Sequence, residues 1–78
     1  MHVVIAKVNE SYFDGEAHSM TVPAAAGEMT VLGHHMPLIT NLKAGTITLR
    51  EKADAEPRSF PIDGGVLEVH HDGATVIL

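Results

Sequence analysis

The stretch GEMTVLGHHMPLIT, residues 27–40, decides the predicted fold class of this 78-residue chain. A short apolar segment leads into Gly33 and two adjacent histidines, and a second apolar run follows Pro37. Proline fixes its own φ and biases the residue before it toward extended backbone. Neither apolar run carries the 3.6-residue period of an amphipathic helix. The stretch therefore predicts two short strands that meet at a corner.

Apolar side chains recur at every second position on both sides of this corner, which is the pattern of half-buried strands. The second apolar run, with Leu38, Ile39 and Leu42, is also expected to be buried. The alternating segments predict that the following pairs face the core: Met20 and Val22, Ile47 and Leu49, and Leu67 and Val69. Val3 and Ile5 are expected on one face of the first strand, with Val4 and Ala6 on the other.

Glycine and proline divide the chain into short segments. Asp14-Gly15 and Asp72-Gly73 are typical of hairpin turns, and residues 43–45 are expected to form another turn. Pro23 and Pro61 suit strand edges, because proline cannot donate a ladder hydrogen bond. These features predict an all-β fold: a small flattened β-sandwich or barrel of about eight to ten short strands, with residues 1–78 as a single domain.

Composition excludes several classes of protein. The formal net charge of −5 argues against binding to a phosphate backbone, and an aromatic content of 4% argues against a base-stacking platform. The absence of cysteine excludes disulfides and thiolate metal sites. No apolar run approaches the roughly 18 residues of a membrane-spanning helix. The N-terminus lacks the pattern of a signal peptide, so the cytoplasm is the expected compartment.

Catalytic motifs are not apparent. Gly64-Gly65 precedes a strand rather than a helix, so it does not predict a phosphate-binding loop. No serine lies in a recognisable nucleophile elbow, and the acidic residues fall mostly in turns and loops. We therefore predict no catalytic residue and no cofactor. A small enzyme with an undetected site stays open as an alternative, and a cleft with strongly perturbed titratable groups would support it.

Six histidines leave a second interpretation open, that of a stand-alone histidine-based metal-binding β module. Adjacent residues of a strand point to opposite faces, so a neighbouring pair cannot easily share one ion. We therefore predict no native metal site. The histidines are His2, His18, His34, His35, His70 and His71.

Several ordered segments resemble the N-terminal β-sandwich domain of the epsilon subunit of rotary F-type ATP synthases. Residues 35–40, His-Met-Pro-Leu-Ile-Thr, are similar to the family's His-x-Pro-Leu-Leu-Thr segment, and residues 27–32 to its Gly-Glu-Leu-Gly-Ile-Leu strand. Residues 64–69 resemble its Gly-Gly-Phe-Leu-Glu-Val strand. Shorter resemblances lie at residues 13–15, 42–45 and 75–78, so the similarity covers nearly the whole chain.

The resemblance implies a non-catalytic rotor subunit. In the family, the sandwich binds the gamma subunit of the central shaft and rests on the polar loops of the membrane c-ring, which couples ion-driven rotation to ATP synthesis. By matching position, Glu28 is expected to approach the c-ring. His35, Met36, Pro37 and Leu38 are expected to lie toward gamma. The implied location is peripheral, on the cytoplasmic face of an energy-transducing membrane such as the bacterial plasma membrane.

Departures from the family pattern occur at two turns and after the sandwich. Gly33-His34 replaces the usual Pro-Gly, and Ala44 replaces a proline. The family normally continues into a C-terminal helical hairpin that can brake ATP hydrolysis, whereas this sequence stops at Leu78. The 78 residues by themselves are therefore expected to couple rotation without inhibiting hydrolysis.

Overall fold

The computed structural model describes residues 1–34 and 36–78, and all the regular secondary structure in these two ranges is β-strand. In the described residues no helix is present that could cross a membrane. The strands are β1 (His2–Lys7), β2 (Glu10–Glu16), β3 (Ser19–Ala24), β4 (Gly27–Leu32), β5 (Leu38–Arg50), β6 (Arg58–His70) and β7 (Gly73–Ile77).

These strands form one hydrogen-bonded sheet in the order β2-β1-β7-β6-β5-β3-β4. The first and last strands, β1 and β7, are parallel neighbours, and the other pairs are antiparallel. β5 and β6 have 13 residues each and pair along nearly their whole length. They are long enough to take part in both halves of a folded sheet.

The pairing pattern divides the sheet into two layers. Within β6, only the second half, from Val66 onward, pairs with β7. Within β5, mainly the second half pairs with β3. The first layer therefore contains β2, β1, β7, the second half of β6 and the first half of β5. The second layer contains the first half of β6, the second half of β5, β3 and β4. The predicted all-β sandwich is confirmed.

The core lies between the layers and is aliphatic apart from Phe13. Every buried side chain in the described part of the chain is apolar. The three predicted inward pairs are all buried, because alternate residues of a strand point to one face. These pairs are Met20 and Val22, Ile47 and Leu49, and Leu67 and Val69. Of the two faces expected for the first strand, the one with Val3 and Ile5 is buried.

The strand count differs from the expected eight to ten. Residues 43–45 were expected to form a turn, but they lie inside β5, and residues 63–65 likewise lie inside β6; both strands bend there from one layer to the other. Asp14-Gly15 also lies inside a strand, and the chain reverses at residues 8–9 instead. Turn-forming dipeptides are compatible with extended backbone when a neighbouring strand supplies the hydrogen bonds, and that pairing is non-local.

Glycines are required where strands approach closely. A Cβ on Gly73 would collide with the backbone carbonyl of His2, so β7 can pair with the start of β1 only through a glycine. Gly65 has a φ of 153°, and a Cβ there would lie 2.6 Å from the carbonyl oxygen of Ile77. Glycine at position 65 therefore permits the close approach of β6 and β7.

Both strand prolines occupy positions where a ladder hydrogen bond is not needed. Pro23 lies between Thr21 and Ala24, where the register of β3 against β5 shifts. Pro61 lies in the first half of β6, which pairs with β5 alone and is therefore a local edge. This agrees with the edge position predicted for Pro61 and explains how proline is accommodated within each strand.

Candidate functional site

The connection from β4 to β5 exposes a series of apolar side chains. Leu32 at the end of β4 is 51% exposed, and Met36 is 78% exposed. Pro37 is exposed, whereas Leu38 is half-buried and pairs with Val69 of β6. His35, the fourth residue predicted to lie toward gamma, falls outside the described residues.

One residue of this region differs from its predicted environment. Ile39 was expected to be buried, but it is 71% exposed. Leu38 and Thr40 take the partly buried positions, and Leu42 is fully buried. Strict alternation through the run would have placed Ile39 on the outer face, so the signal was present in the sequence.

Glu28 lies at the other end of β4. It is exposed and pairs with Pro23, beside the turn at Ala25 and Ala26 that joins β3 to β4. Its carboxylate is therefore presented next to the tip of a hairpin, where a flat polar surface could reach it. The structure brings Met36, Pro37 and Leu38 together but places Glu28 apart from them.

β4 separates Glu28 from the connection that leads to β5. A strand rises about 3.4 Å per residue, so Glu28 and Leu32 are about 14 Å apart along β4. The hairpin tip beside Glu28 also reaches β5, because the Ala25 N–H donates to the carbonyl of Asn41 at 2.9 Å. Asn41 is three residues from Leu38 in the sequence, so the two predicted contact regions belong to neighbouring parts of the molecule.

Sequence reasoning missed an apolar area on the outer face of the first layer. Val66 and Ile77 are 39% and 57% exposed, and they are direct cross-strand partners. Ala6 of β1 pairs with Ile77 on its other side, which extends the same row. Contiguous exposed apolar surface in a small protein is typical of an interface with another chain.

The described histidines gather at one end of the sandwich, although they come from distant parts of the sequence. His2 begins β1 and His70 ends β6, and both pair with Gly73. The rings of His34 and His71 lie 6.1 Å apart between centroids. His2 Nε2 lies 2.7 Å from Asp14 Oδ1, and His70 Nε2 lies 3.3 Å from Thr75 Oγ1.

This arrangement does not create a recognisable metal centre in the described residues. No group of three or more histidine, aspartate or glutamate side chains is placed to hold one ion there. A structural zinc site needs four ligands and a catalytic one needs three. The histidine-based metal module, the alternative interpretation of the sequence, therefore gains no support from side-chain geometry.

A cleft of about 360 Å³ lies at the other end, between the end of β1 and the first half of β6. Its walls include Phe60, Ile62 and Leu78, with Lys7 and Tyr12 at the polar side. The Tyr12 hydroxyl donates a hydrogen bond to Glu10 at 3.2 Å. The cleft has the size of a small-ligand pocket.

The fold and composition define a small aliphatic β-sandwich with exposed apolar side chains near its edges. The family model for "ATP synthase, Delta/Epsilon chain, beta-sandwich domain" matches residues 1–78. The chain therefore belongs to this family of ATP synthase epsilon-type sandwich domains, and the resemblance identified from the sequence is confirmed.

Curated relatives carry the same description. The chain is 39% identical over 77 residues to "ATP synthase epsilon chain 2" of Burkholderia orbicola, and 38% identical over 77 residues to the ATP synthase epsilon chain of Polaromonas naphthalenivorans. Both alignments cover 99% of this chain but only 51% and 55% of the relatives. The chain thus spans about half the length of the curated relatives it matches.

Solved structures show the same fold. A chain of the Euglena gracilis mitochondrial ATP synthase aligns over 96% of this chain and 48% of its own length, with a TM-score of 0.86 and 19% identity. A chain of the Tetrahymena thermophila mitochondrial ATP synthase, in a structure of the central stalk and c-ring, aligns over 97% of this chain and 60% of its own length. Its TM-score is 0.78 at 17% identity.

Proposed function

We propose that this chain is the sandwich of a non-catalytic rotor subunit in a rotary F-type ATP synthase. In this role it joins the gamma shaft to the membrane c-ring and transmits ion-driven rotation toward ATP synthesis. The observation that carries the proposal is the family match across residues 1–78. The fold shared with chains of solved ATP synthases supports it. The subunit would lie peripherally, on the cytoplasmic face of an energy-transducing membrane.

The gamma-facing side is assigned to the connection before β5 and the start of that strand. Met36 and Pro37 are exposed, and half-buried Leu38 anchors them to the core. Removing apolar surface from water contributes about 25 cal/mol per Å² to the free energy of binding. A protein partner that covers these side chains is therefore bound more tightly. His35 precedes them in the sequence and belongs to the same assignment.

The c-ring-facing side is assigned to the hairpin tip that carries Glu28. An exposed carboxylate at a tip can approach basic or polar loops without rearrangement of the sandwich. An exposed ion pair contributes only about 0–1 kcal/mol, so Glu28 would determine orientation and specificity more than affinity. The two assigned sides belong to different connections of the sandwich, the β3–β4 hairpin and the segment between β4 and β5, which suits a part that bridges two partners.

Purified gamma subunit tests the proposal directly. We expect 1:1 binding to the 78-residue chain in calorimetry at micromolar concentration. Leu38→Asp should weaken binding strongly or unfold the chain, because Leu38 packs against the core. Lack of any heat or complex with the wild-type chain would refute the assignment to the rotor.

Glu28→Lys separates the two assigned partners. We expect the variant to bind gamma as the wild type does, since Glu28 is exposed beside the tip of the β3–β4 hairpin and is not among the residues assigned to gamma. Proton pumping by a reconstituted complex should fall, because the reversed charge faces the ring. Glu56→Lys is the matched control, in the exposed loop between β5 and β6. Equal pumping by both variants would contradict the c-ring assignment of Glu28.

A further inference from the structure

The two-layer sandwich leaves four strand edges without a strand partner in the described residues. They are β2 and the first half of β5 in the first layer, and the first half of β6 and β4 in the second. An unpaired edge presents free backbone donors and acceptors to any other extended chain. Proteins usually protect such edges with charge, proline or a bulge.

Three of these edges carry recognisable protection. β2 has exposed acidic side chains along its length and a register shift against β1 between Ile5 and Ala6. The first half of β6 contains a proline between two charged residues, and β4 carries a carboxylate near its start. The protecting residues are Glu10, Asp14 and Glu16 on β2, Arg58, Pro61 and Asp63 on β6, and Glu28 on β4.

The fourth edge, residues 38–41 of β5, has no such protection. Its sequence is Leu-Ile-Thr-Asn, with no charge and no proline, and Ile39 is 71% exposed. β3 does not pair with β5 until Leu42. We call these four residues the open edge.

Backbone direction on the open edge follows from one hydrogen bond. The Ala25 N–H donates to the carbonyl of Asn41 at 2.9 Å, so Asn41 directs its backbone groups away from β6. In an antiparallel strand this direction alternates with each residue. Ile39, two residues earlier, therefore directs both its N–H and its C=O outward from the sheet.

A shallow groove of about 450 Å³ runs beside the open edge. On one side it is lined by Leu38 and Ile39 of β5 and by Pro37 just before that strand. On the other side it is lined by Glu68, Val69 and His70 of β6. An added strand could place one side chain in this groove while its backbone pairs with Ile39. Backbone pairing and a side-chain pocket together are the features of strand addition.

We propose that the open edge receives an extended segment of the gamma subunit as an additional strand of the first layer. This inference rests on the proposed function and specifies how that partner is held. The net charge of −5 and the groove carboxylate Glu68 favour a segment that carries basic side chains beside an apolar one. The same charge opposes edge pairing between two copies of this chain.

Ile39→Pro tests the backbone contact. Proline removes the N–H of Ile39, which makes no bond to β6, so the ladder inside the sandwich is retained. We expect affinity for purified gamma subunit to fall about tenfold or more, because a hydrogen bond and the strand alignment are lost together. Ile39→Val is the matched control; it keeps the N–H and the branched side chain, and its affinity should stay within about twofold.

Ile39→Lys provides a second variant if proline lowers stability. The lysine adds a charge to the open edge, and the other three edges already carry charged side chains. Because charge opposes strand pairing, the variant should also weaken gamma binding about tenfold. Hydrogen exchange gives an independent readout. The Ile39 amide should exchange freely in the isolated chain and become protected in the complex, whereas the β2 amides should not change.

The outcomes distinguish this inference from the proposed function. If the wild-type chain binds gamma but Ile39→Pro and Ile39→Lys bind equally well, the open edge is not the contact and the rotor role stands. If the Ile39 amide is already protected in a dimer of the isolated chain, a second copy occupies the edge and the inference is wrong. Failure of the wild-type chain to bind gamma overturns both.

Discussion

Gly73 decides whether the first and last strands of the chain can meet. It is buried, and a Cβ at this position would overlap the backbone of His2. We expect Gly73→Ala to destabilise the fold by about 2–3 kcal/mol, measured by urea unfolding, because β1 and β7 must move apart. Gly33→Ala is the control, since nothing lies within 4 Å of a Cβ at Gly33. An unchanged midpoint for Gly73→Ala would show that the two strands can shift at little cost.

Two isoleucines allow a core position to be compared with a surface position. Ile47 is fully buried in β5, whereas Ile77 is 57% exposed in β7. Ile47→Ala should cost about 2–5 kcal/mol, because it leaves a cavity in addition to the lost transfer energy. Ile77→Ala should cost about 1 kcal/mol or less in the isolated chain. Similar losses in both variants would mean that the outer face of the first layer is covered in solution.

Arg58, at the start of β6, contacts aromatic side chains of both layers. Its guanidinium lies 5.1 Å from the ring centre of Phe13 and 5.5 Å from that of Phe60, and its Nη1 lies 3.0 Å from Glu51. The two rings are 6.4 Å apart and edge-to-face. One side chain therefore connects the edge of the first layer, at β2, to the edge of the second.

We expect Arg58→Ala to cost about 0.5–1 kcal/mol, because the side chain is half-exposed and solvent screens its charge. Arg58→Lys should recover only part of the loss, since an ammonium lacks the planar face that stacks on rings. Lys52→Ala, in the exposed loop before β6, serves as control. Full recovery by lysine would indicate that only the pair with Glu51 matters.

The whole molecule should unfold as one unit, since β5 and β6 belong to both layers. The fluorescence of Tyr12 reports on β2 of the first layer, and the chain has no tryptophan to obscure it. Far-UV circular dichroism reports on both layers. We expect the two urea transitions to coincide. A Tyr12 transition at lower urea than the dichroism would show that the first layer unfolds independently.

Docking should also stabilise the whole sandwich. A domain of this size buries only about 60–65% of its unfolded surface, so its stability is small. Binding of gamma to the folded state alone would add about 2.7 kcal/mol at a free concentration of 100 Kd. Thermal unfolding of the complex should therefore shift upward as gamma is added in excess, and Leu38→Asp should abolish that shift.

The sequence by itself determined which faces of the strands are buried and which family the chain belongs to. Alternation is a local property of extended backbone, so pairs such as Met20 and Val22 could be assigned without knowledge of their neighbours. The ordered segments at residues 27–32 and 35–40 identified the family because they combine turn residues with apolar positions at fixed spacing.

Tertiary structure decided where the chain bends rather than turns, and which edges stay open. Residues 43–45 remain in a strand because β6 pairs with Lys43 and Gly45, and the edge at Ile39 stays open because β3 reaches β5 only at Leu42. His34 and His71 lie close together because two connections meet at one end of the sandwich. Each of these features depends on pairing between distant segments, and local propensity carries no information about such pairing.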